Sequence, residues 1–418
     1  MSQPNEQEVR ADVRAWLDAN WNPELSLIEW RTLLTDAGWG MPDWPSEWYG
    51  KDFPPLLAAA VEEEFSRFGA VGVAKAGIRL LAGATLLEHG TTEQKEKFLR
   101  RILTGEDTWC QLFSEPGSGS DLAGSTTRAV KQGDTWVVNG QKVWTTSAHH
   151  ADWGLLLART DWDVPKHQGL SYFVINMHQP GVNVSPLRQM NHHASFNEVF
   201  MTDALVLPEH QVGELGQGWQ VAMTTLGHER RRADGMRTTI HTKDTAALRE
   251  GRVFDEEREE NRTLMEPYTW YPQRAGRADL ALPRAIETGK IEDPTVQQAL
   301  ADLLILSNSA EWTARRARAA QEMGQPQGPG GSLGKLAASH VARAAAHVHT
   351  LIAGGDALLM GEDSPRDGVI GEILMSVPAV SIAGGTDEIQ RNIIAERVLE
   401  MPKESRFDGG PFKDVPKN

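Results

Sequence analysis

Between Thr108 and Ala148 the chain reads TWCQLFSEPGSGSDLAG and, after a short gap, NGQKVWTTSA. A Gly117-Ser118-Gly119-Ser120 turn, two β-like runs and an Asn139-Gly140 hairpin signal share this window, a way for a sheet edge to offer backbone donors to an anion. A phosphate-bearing cofactor is the chemistry this suggests. A loop-rich β-domain with no ligand is the alternative, because Gly and Ser are ordinary turn residues. Trp144, one of 14 tryptophans, is open to the same two readings, as core residue or as the flat wall of a cofactor site. The pairs His149-His150, His192-His193 and His347/His349 lack acidic or Cys companions at metal-ligand spacing, so they read as packing or surface histidines. Gly328 to Lys335, GPGGSLGK, lacks the preceding strand and the Lys-Ser/Thr pair of a phosphate loop and reads as an inter-helix connection.

Composition bounds the partners. With 42 Lys+Arg against 57 Asp+Glu, the formal net charge of −15 argues against a nucleic-acid surface while leaving room for a local basic pocket. The single cysteine, Cys110, excludes an intrachain disulfide and any Cys-rich metal or cluster site, and points to a reducing, cytoplasmic setting. The N-terminal residues lack the apolar core of a signal peptide, and no apolar run approaches the ~18 residues of a membrane span. At 418 residues, 40% of them hydrophobic, the chain has material for several domains.

The elements that would position the turn follow from periodicity. Val9, Val13, Trp16 and Leu17, then Ile28 to Ala37, then Pro54 to Phe68 recur at helical spacing, and Val71 to His89, apolar nearly all round, predicts a buried helix. Thr91 to Gln94 resembles a capping box opening a further helix that ends before Gly105. Trp109–Glu115, Thr126–Lys131, Thr135–Val138, Gln141–Thr146, Trp153–Thr160, Leu170–Asn176 and Phe196–Leu207 predict six or seven strands of a β-barrel or sandwich. Helical pattern returns at Gly218. The charged stretch Lys243 to Arg262 predicts a solvated helix or mobile excursion. Helices are expected again over Val296 to Glu322, Leu333 to Leu359 and Glu388 to Leu399. The fold class expected is α+β multidomain: an N-terminal α-helical domain (1–106), a central β-barrel or sandwich domain (107–212), a C-terminal four-helix-bundle domain (213–402) and a flexible tail (403–418).

Five segments in order, SEPGSGSD, NGQKVWTTSA, FNEVFMTDALVLP, GQGWQVAMTTLGHER and SIAGGTDEIQRNIIAERVL, resemble the signatures of the flavin-dependent acyl-CoA dehydrogenase family, in an actinobacterial-type form, over roughly Val9 to Leu399. The resemblance implies FAD between the β-domain and the C-terminal helices. It implies contacts to the flavin ring from Gln111, Phe113 and Ser114, and to the pyrophosphate from Gly119 and Ser120. Trp144 would stack on the flavin, Thr146 would face its central ring, and Thr386 and Glu388 would contact the cofactor from the C-terminal motif. Short Ser and Gly side chains, a flat indole and a hydroxyl suit those tasks.

The family's reaction removes a proton beside a thioester while hydride leaves the adjacent carbon for flavin, which calls for a desolvated Glu. Many members carry that Glu directly before the Gly-Thr of the C-terminal motif, where this chain has Gly384. A minority take it from the first long helix of the C-terminal domain, before an Arg. By resemblance, Glu229 is then the base and Arg230 a contact for CoA; a surface pairing of Glu229 with Arg230, Arg231 or Arg232 is the plain alternative. An Arg-x-x-Phe-Gly segment is missing, and Leu351 stands where the family has a Gln that helps hold the adenosine half of FAD. The function implied is FAD-dependent desaturation of an acyl-CoA to the 2,3-enoyl-CoA, with an electron-transfer flavoprotein as acceptor and a homo- or hetero-oligomer as assembly. The alternative is a catalytically silent structural subunit of a mixed oligomer. No nucleic acid, membrane span or metal is expected.

Overall fold

A computed structural model describes residues 4–75, 77–239, 249–323, 330–359, 361, 364–405 and 408–416. The chain forms two units, one of residues 1–187, 194–267 and 407–418, the other of residues 188–193 and 268–406.

In the first unit, helices α1 (Glu6–Asn20), α2 (Leu27–Asp36), α3 (Pro55–Phe68), α4 (Arg79–His89) and α5 (Thr92–Thr104) precede the strands. Capping boxes open α1 (Asn5 with Glu8), α2 (Ser26 with Glu29) and α5 (Thr91 with Gln94), each cap contributing about 1 kcal/mol. The helix expected from Val71 begins only at Arg79. Val71, Val73 and Ala74 are buried in a non-helical stretch whose backbone finds other partners: Trp30 Nε1 donates to the Val71 carbonyl at 2.7 Å, and the Ala74 amide donates to Leu103 at 2.9 Å. Burial all round therefore came from packing on α2 and α5 rather than from a helix, since apolar runs alone do not distinguish the two.

The strands form one eight-stranded mixed sheet: β1 (Trp109–Leu112), β2 (Arg128–Gln132), β3 (Thr135–Thr146), β4 (Trp153–Arg159), β5 (Leu170–Asn176), β6 (Val182–Leu187), β7 (Phe196–Val206) and β8 (Gln211–Val212). The path is β6-β7-β3-β2-β4-β5-β8, with β1 parallel to β4. β4 and β5 are buried on both faces. Leu155, Leu157, Tyr172 and Val174 face the helical core, and Leu156, Ala158, Phe173 and Ile175 face a second core with Trp136, Val138 and Val199. This explains why both strands read as continuous apolar runs.

Asn139-Gly140 does not turn a hairpin. β3 runs through it with a bulge against β7, and Asn139 exchanges hydrogen bonds with Asp203 at 3.0 and 2.9 Å. A Cβ at Gly140 would lie 2.5 Å from Thr127 Oγ1, so close approach of the chain, not turn chemistry, accounts for this glycine. β6 and β8 were absent from the sequence reading; β6 is only half-buried and β8 has two residues.

α6 (Gly218–Thr239) and α7 (Arg252–Leu264) complete the unit. α7 is not simply a solvated helix. Val253, Phe254 and Leu264 are buried, and Glu260 bonds both Arg31 and Arg79 at 2.7 Å. Residues 243–248 of that charged stretch lie outside the described residues.

The second unit holds α8 (Tyr271–Arg274), α9 (Ala278–Glu287), α10 (Pro294–Glu322), α11 (Gly330–Ala353), α12 (Val369–Ser376) and α13 (Asp387–Arg397). Its core gathers Ala281, Ala285, Val296, Leu303, Ala345, Val348 and Ile352, with Leu351 against it. Gly330 to Lys335, expected as connection, is the first turn and a half of α11. Among the described residues no helix is long and apolar enough to cross a membrane, and no His/Cys/Asp/Glu group could hold a metal. His349 is fully buried, where Arg284 donates to its Nδ1 at 2.8 Å.

Candidate active site

β1 and the turn that follows it carry the first candidates. Gln111 pairs with Leu155 in the parallel β1–β4 ladder, which leaves its side chain half-buried. Phe113 is buried, its ring edge-on to Tyr172 at 5.9 Å. The Ser114 carbonyl accepts from the Val143 amide at 2.9 Å, which stitches the end of β1 to β3 beside Trp144.

That stitch is reinforced by two residues the sequence reading did not single out. Lys142, fully buried, donates through Nζ to the Phe113 carbonyl at 2.8 Å and to Glu115 Oε1 at 2.9 Å. Glu115 also accepts from the Thr126 and Thr127 amides at 2.7 and 2.9 Å. Burial alone would raise the Glu115 carboxyl; the Lys142 charge and these donors outweigh it and hold the group at about 2. Burial pushes the Lys142 ammonium down, against the pull of Glu115.

Next in the chain, Glu115 and Ser118 exchange backbone hydrogen bonds of 2.9 and 3.0 Å around Pro116-Gly117. Ser118 Oγ closes the turn on the Asp121 carbonyl at 2.5 Å, and Gly119 and Ser120 are exposed. A Cβ at Gly117 or Gly119 would meet open space, so the backbone there is bare to an approaching group.

Trp144 sits on β3 where the register slips between Lys142 and Thr145. Its φ is 60° and its indole is 57% exposed, edge-on to Phe196 at 5.7 Å. An indole held outward at a left-handed position is not a core residue; the bulge re-aims it. Thr146, two residues on, is half-buried opposite Phe196, and the nearby Thr145 and Ser147 hydroxyls are buried without a partner. A bare Gly/Ser turn, an outward indole and hydroxyls with unused hydrogen-bonding capacity fit a flat ring system joined to phosphate, the chemistry of FAD.

α6 carries the candidate carboxylate, Glu229. Thr225 and Glu229 are one turn apart and share a helix face. Thr225 Oγ1 meets Tyr172 Oη at 3.0 Å and Thr85 Oγ1 at 2.9 Å, so a chain of three buried hydroxyls pins this face of α6 between β5 and α4. One turn later, Gln111 Nε2 donates to Glu229 Oε2 at 3.4 Å, and Glu229 is half-buried. The helix is thus fixed beside the β1 residues, with its carboxylate directed to Gln111. Thr225→Val is expected to cost about 1–3 kcal/mol in urea unfolding, because it strands the buried Tyr172 hydroxyl; Tyr172→Phe, which removes that hydroxyl, should cost less. Equal costs would count against the hydroxyl chain as the pin. Arg230 follows in α6, but its side chain lies outside the described residues.

Thr386 and Glu388 belong to the second unit. Thr386 caps α13, accepting from the Ile389 amide at 3.2 Å, while Glu388 is exposed and pairs with Arg391 at 3.4 Å. Asp387 between them is buried on α11, held by Ser339 at 2.8 Å and Arg343 at 3.2 Å. Gly384 has φ 70°, a conformation that would strain a Glu there.

Three family models match the chain: acyl-CoA dehydrogenase, N-terminal domain, over residues 3–106, middle domain over 110–204, and C-terminal domain over 278–399. Acyl-CoA dehydrogenase IpdE1 of Mycobacterium tuberculosis is 32% identical over 96% of this chain and 99% of its own length. Acyl-CoA dehydrogenase FadE34 of the same organism is 33% identical over 89% of this chain, which spans only 46% of that longer protein. Among solved structures, the Tcur3481-Tcur3483 steroid ACAD aligns with a TM-score of 0.65 at 24% identity, over 96% of this chain and 99% of that one. The ChsE4-ChsE5 complex from Mycobacterium tuberculosis aligns at 0.62 and 24%, over 97% and 99%; both are likenesses of fold. Matched along nearly its whole length by a relative of this identity, and in three successive parts by models of one family, the chain belongs to the acyl-CoA dehydrogenases, FAD-binding oxidoreductases.

Proposed function

We propose that this chain desaturates an acyl-CoA thioester at the 2,3-position with Glu229 as the base. The observation that carries the reading is the placement of Glu229 on the pinned face of α6, 3.4 Å from Gln111 on β1, while position 384 offers no carboxylate. A Glu held within reach of the substrate can act as the general base that removes a weakly acidic proton. Glu229 takes the proton from the carbon next to the thioester carbonyl, and Gln111 keeps the carboxylate oriented. FAD, when bound, supplies the two-electron acceptor for the hydride of the neighbouring carbon. Gln111, Phe113, Ser114, Trp144 and Thr146 would hold its ring system, and Gly119 and Ser120 its pyrophosphate. Thr386 and Glu388 would add contacts from the C-terminal motif, and Arg230 would meet the CoA. This reading retains the division at residues 106, 212 and 402.

The acceptor proposed is an electron-transfer flavoprotein, the setting cytoplasmic, and the assembly a homo- or hetero-oligomer; the two-component steroid ACAD and ChsE4-ChsE5 structures make a second chain worth testing. Nothing in the comparisons favours a catalytically silent subunit. The test is anaerobic titration of the FAD-loaded protein with straight-chain, branched and ring-bearing acyl-CoA thioesters. Bleaching of the flavin by one class is expected, and full FAD occupancy with no bleaching by any class would sink the assignment.

A further inference from the structure

Residues 408–416 were expected to be loose; they are packed. Phe412 is 4% exposed, its amide donates to the Val164 carbonyl at 2.9 Å, and the Lys413 amide donates to Trp162 at 2.9 Å. Lys413 Nζ pairs with Asp163 at 2.5 Å.

Beneath Phe412 lies Arg159, at the end of β4 and wholly buried. Among the described residues, no carboxylate lies within ion-pair distance of it. Its guanidinium instead donates to three carbonyls: Ala123 at 2.6 Å, Ser125 at 3.0 Å and Lys166 at 3.1 Å. The Phe412 ring covers it at 3.4 Å, with Trp162 at 5.6 Å. Burial lowers the Arg159 guanidinium to about 10, so it remains charged at neutral pH. A buried cation of this kind is tolerable only while its carbonyls and aromatic cover stay in place. A second tie runs alongside: Lys166 Nζ bridges Asp408 at 2.6 Å and Asp121 at 2.8 Å. Both ties end on the loop that begins with Ser118, Gly119 and Ser120.

We propose that residues 408–416 are a strap that holds the 118–125 loop in its cofactor-binding form, with Arg159 and Phe412 as positioning residues. The proposal rests on the reading of Gly119 and Ser120 as the pyrophosphate contact. Loss of the Phe412 ring would open Arg159 to water, weaken its hold on Ala123 and Ser125, and leave the bare turn to sample other conformations before FAD arrives.

The experiment uses the full chain with Phe412→Ala, Phe412→Tyr and, separately, deletion of residues 405–418. Amide exchange is followed by mass spectrometry in the apoprotein, and the FAD dissociation constant by fluorescence. Gly119→Glu serves as a control on the turn, because its side chain meets open space in the protein but would repel phosphate. Phe412→Ala is expected to speed exchange over 118–125 while leaving 170–176 unchanged, and to raise the dissociation constant about tenfold, or 1.4 kcal/mol. Phe412→Tyr should behave as wild type, and the deletion should match or exceed Phe412→Ala. Unchanged exchange over 118–125 in both Phe412→Ala and the deletion overturns the strap. If Gly119→Glu weakens FAD but Phe412→Ala does not, the strap is again overturned while the turn reading stands. If neither variant alters FAD affinity although exchange rises, the turn reading fails and takes the proposal with it.

Discussion

Glu229→Gln is expected to bind FAD as wild type does and to lose about 10²–10⁴-fold or more in the rate of flavin reduction by acyl-CoA. The substitution keeps the size of the side chain and its capacity to meet Gln111, which lies 3.4 Å away, so α6 has no reason to move. What disappears is acceptance of the α-proton, which the amide cannot supply. Stopped-flow anaerobic reduction reads the rate, and the flavin absorbance per chain reads occupancy. A variant that reduces flavin at the wild-type rate would remove Glu229 from the chemistry. A variant that loses FAD as well would show that the residue positions the site.

The largest stability effect is expected at the buried pair behind the site. Lys142→Met leaves Glu115 buried with its backbone donors but without its cation, at an expected cost of about 3–5 kcal/mol at neutral pH. The pH dependence has a definite sign. In the native protein the Glu115 carboxyl is held at about 2 against an ordinary 4.5, so the unfolded chain takes up its proton first. The stabilisation is complete above pH 4.5 and is lost as pH falls toward 2, an amount on the order of 3 kcal/mol. In Lys142→Met burial is no longer opposed by that charge, so acid helps the variant relative to wild type. The gap between the two proteins in urea unfolding of the apoprotein should therefore narrow between pH 7 and pH 4. A constant gap would mean that the cost of the substitution is packing rather than the lost ion pair. Because Lys142 also holds the Phe113 carbonyl, the variant should bind FAD more weakly.

The two residues in this pair show where sequence reading ends. Glu115 ends one expected strand, Trp109–Glu115, and Lys142 lies in another, Gln141–Thr146, and nothing local says that they meet. Lysine in a strand is ordinarily solvated, and only the meeting of β3 with the end of β1 in the folded sheet buries this one. The contact from Gln111 to Glu229 has the same character, since it joins a strand to a helix through the tertiary fold alone. Glu229 was legible only through the family's habit of placing its base before an Arg; neither periodicity nor spacing marks it.

Where local chemistry decides the structure, the reading was sound. Thr91 and Gln94 form the capping box, and Leu170–Asn176 is a strand over the residues expected. Failures came from tertiary override. Asn139-Gly140 carries a turn signature, but pairing on both sides keeps β3 extended there. Phe412 and Arg159 lie far apart in a sequence whose tail looked too polar and Pro-rich to pack, yet an aromatic ring over a buried guanidinium, two backbone hydrogen bonds and the Lys166 and Lys413 ion pairs dock it.

α-Proton removal is the role proposed for Glu229. Exchange of the thioester α-hydrogen into D2O, followed by NMR under anaerobic conditions with FAD-loaded protein, tests it at the reacting atom. Wild type is predicted to exchange that hydrogen and Glu229→Gln to leave it in place with FAD bound; undiminished exchange in Glu229→Gln would assign the proton removal to another group.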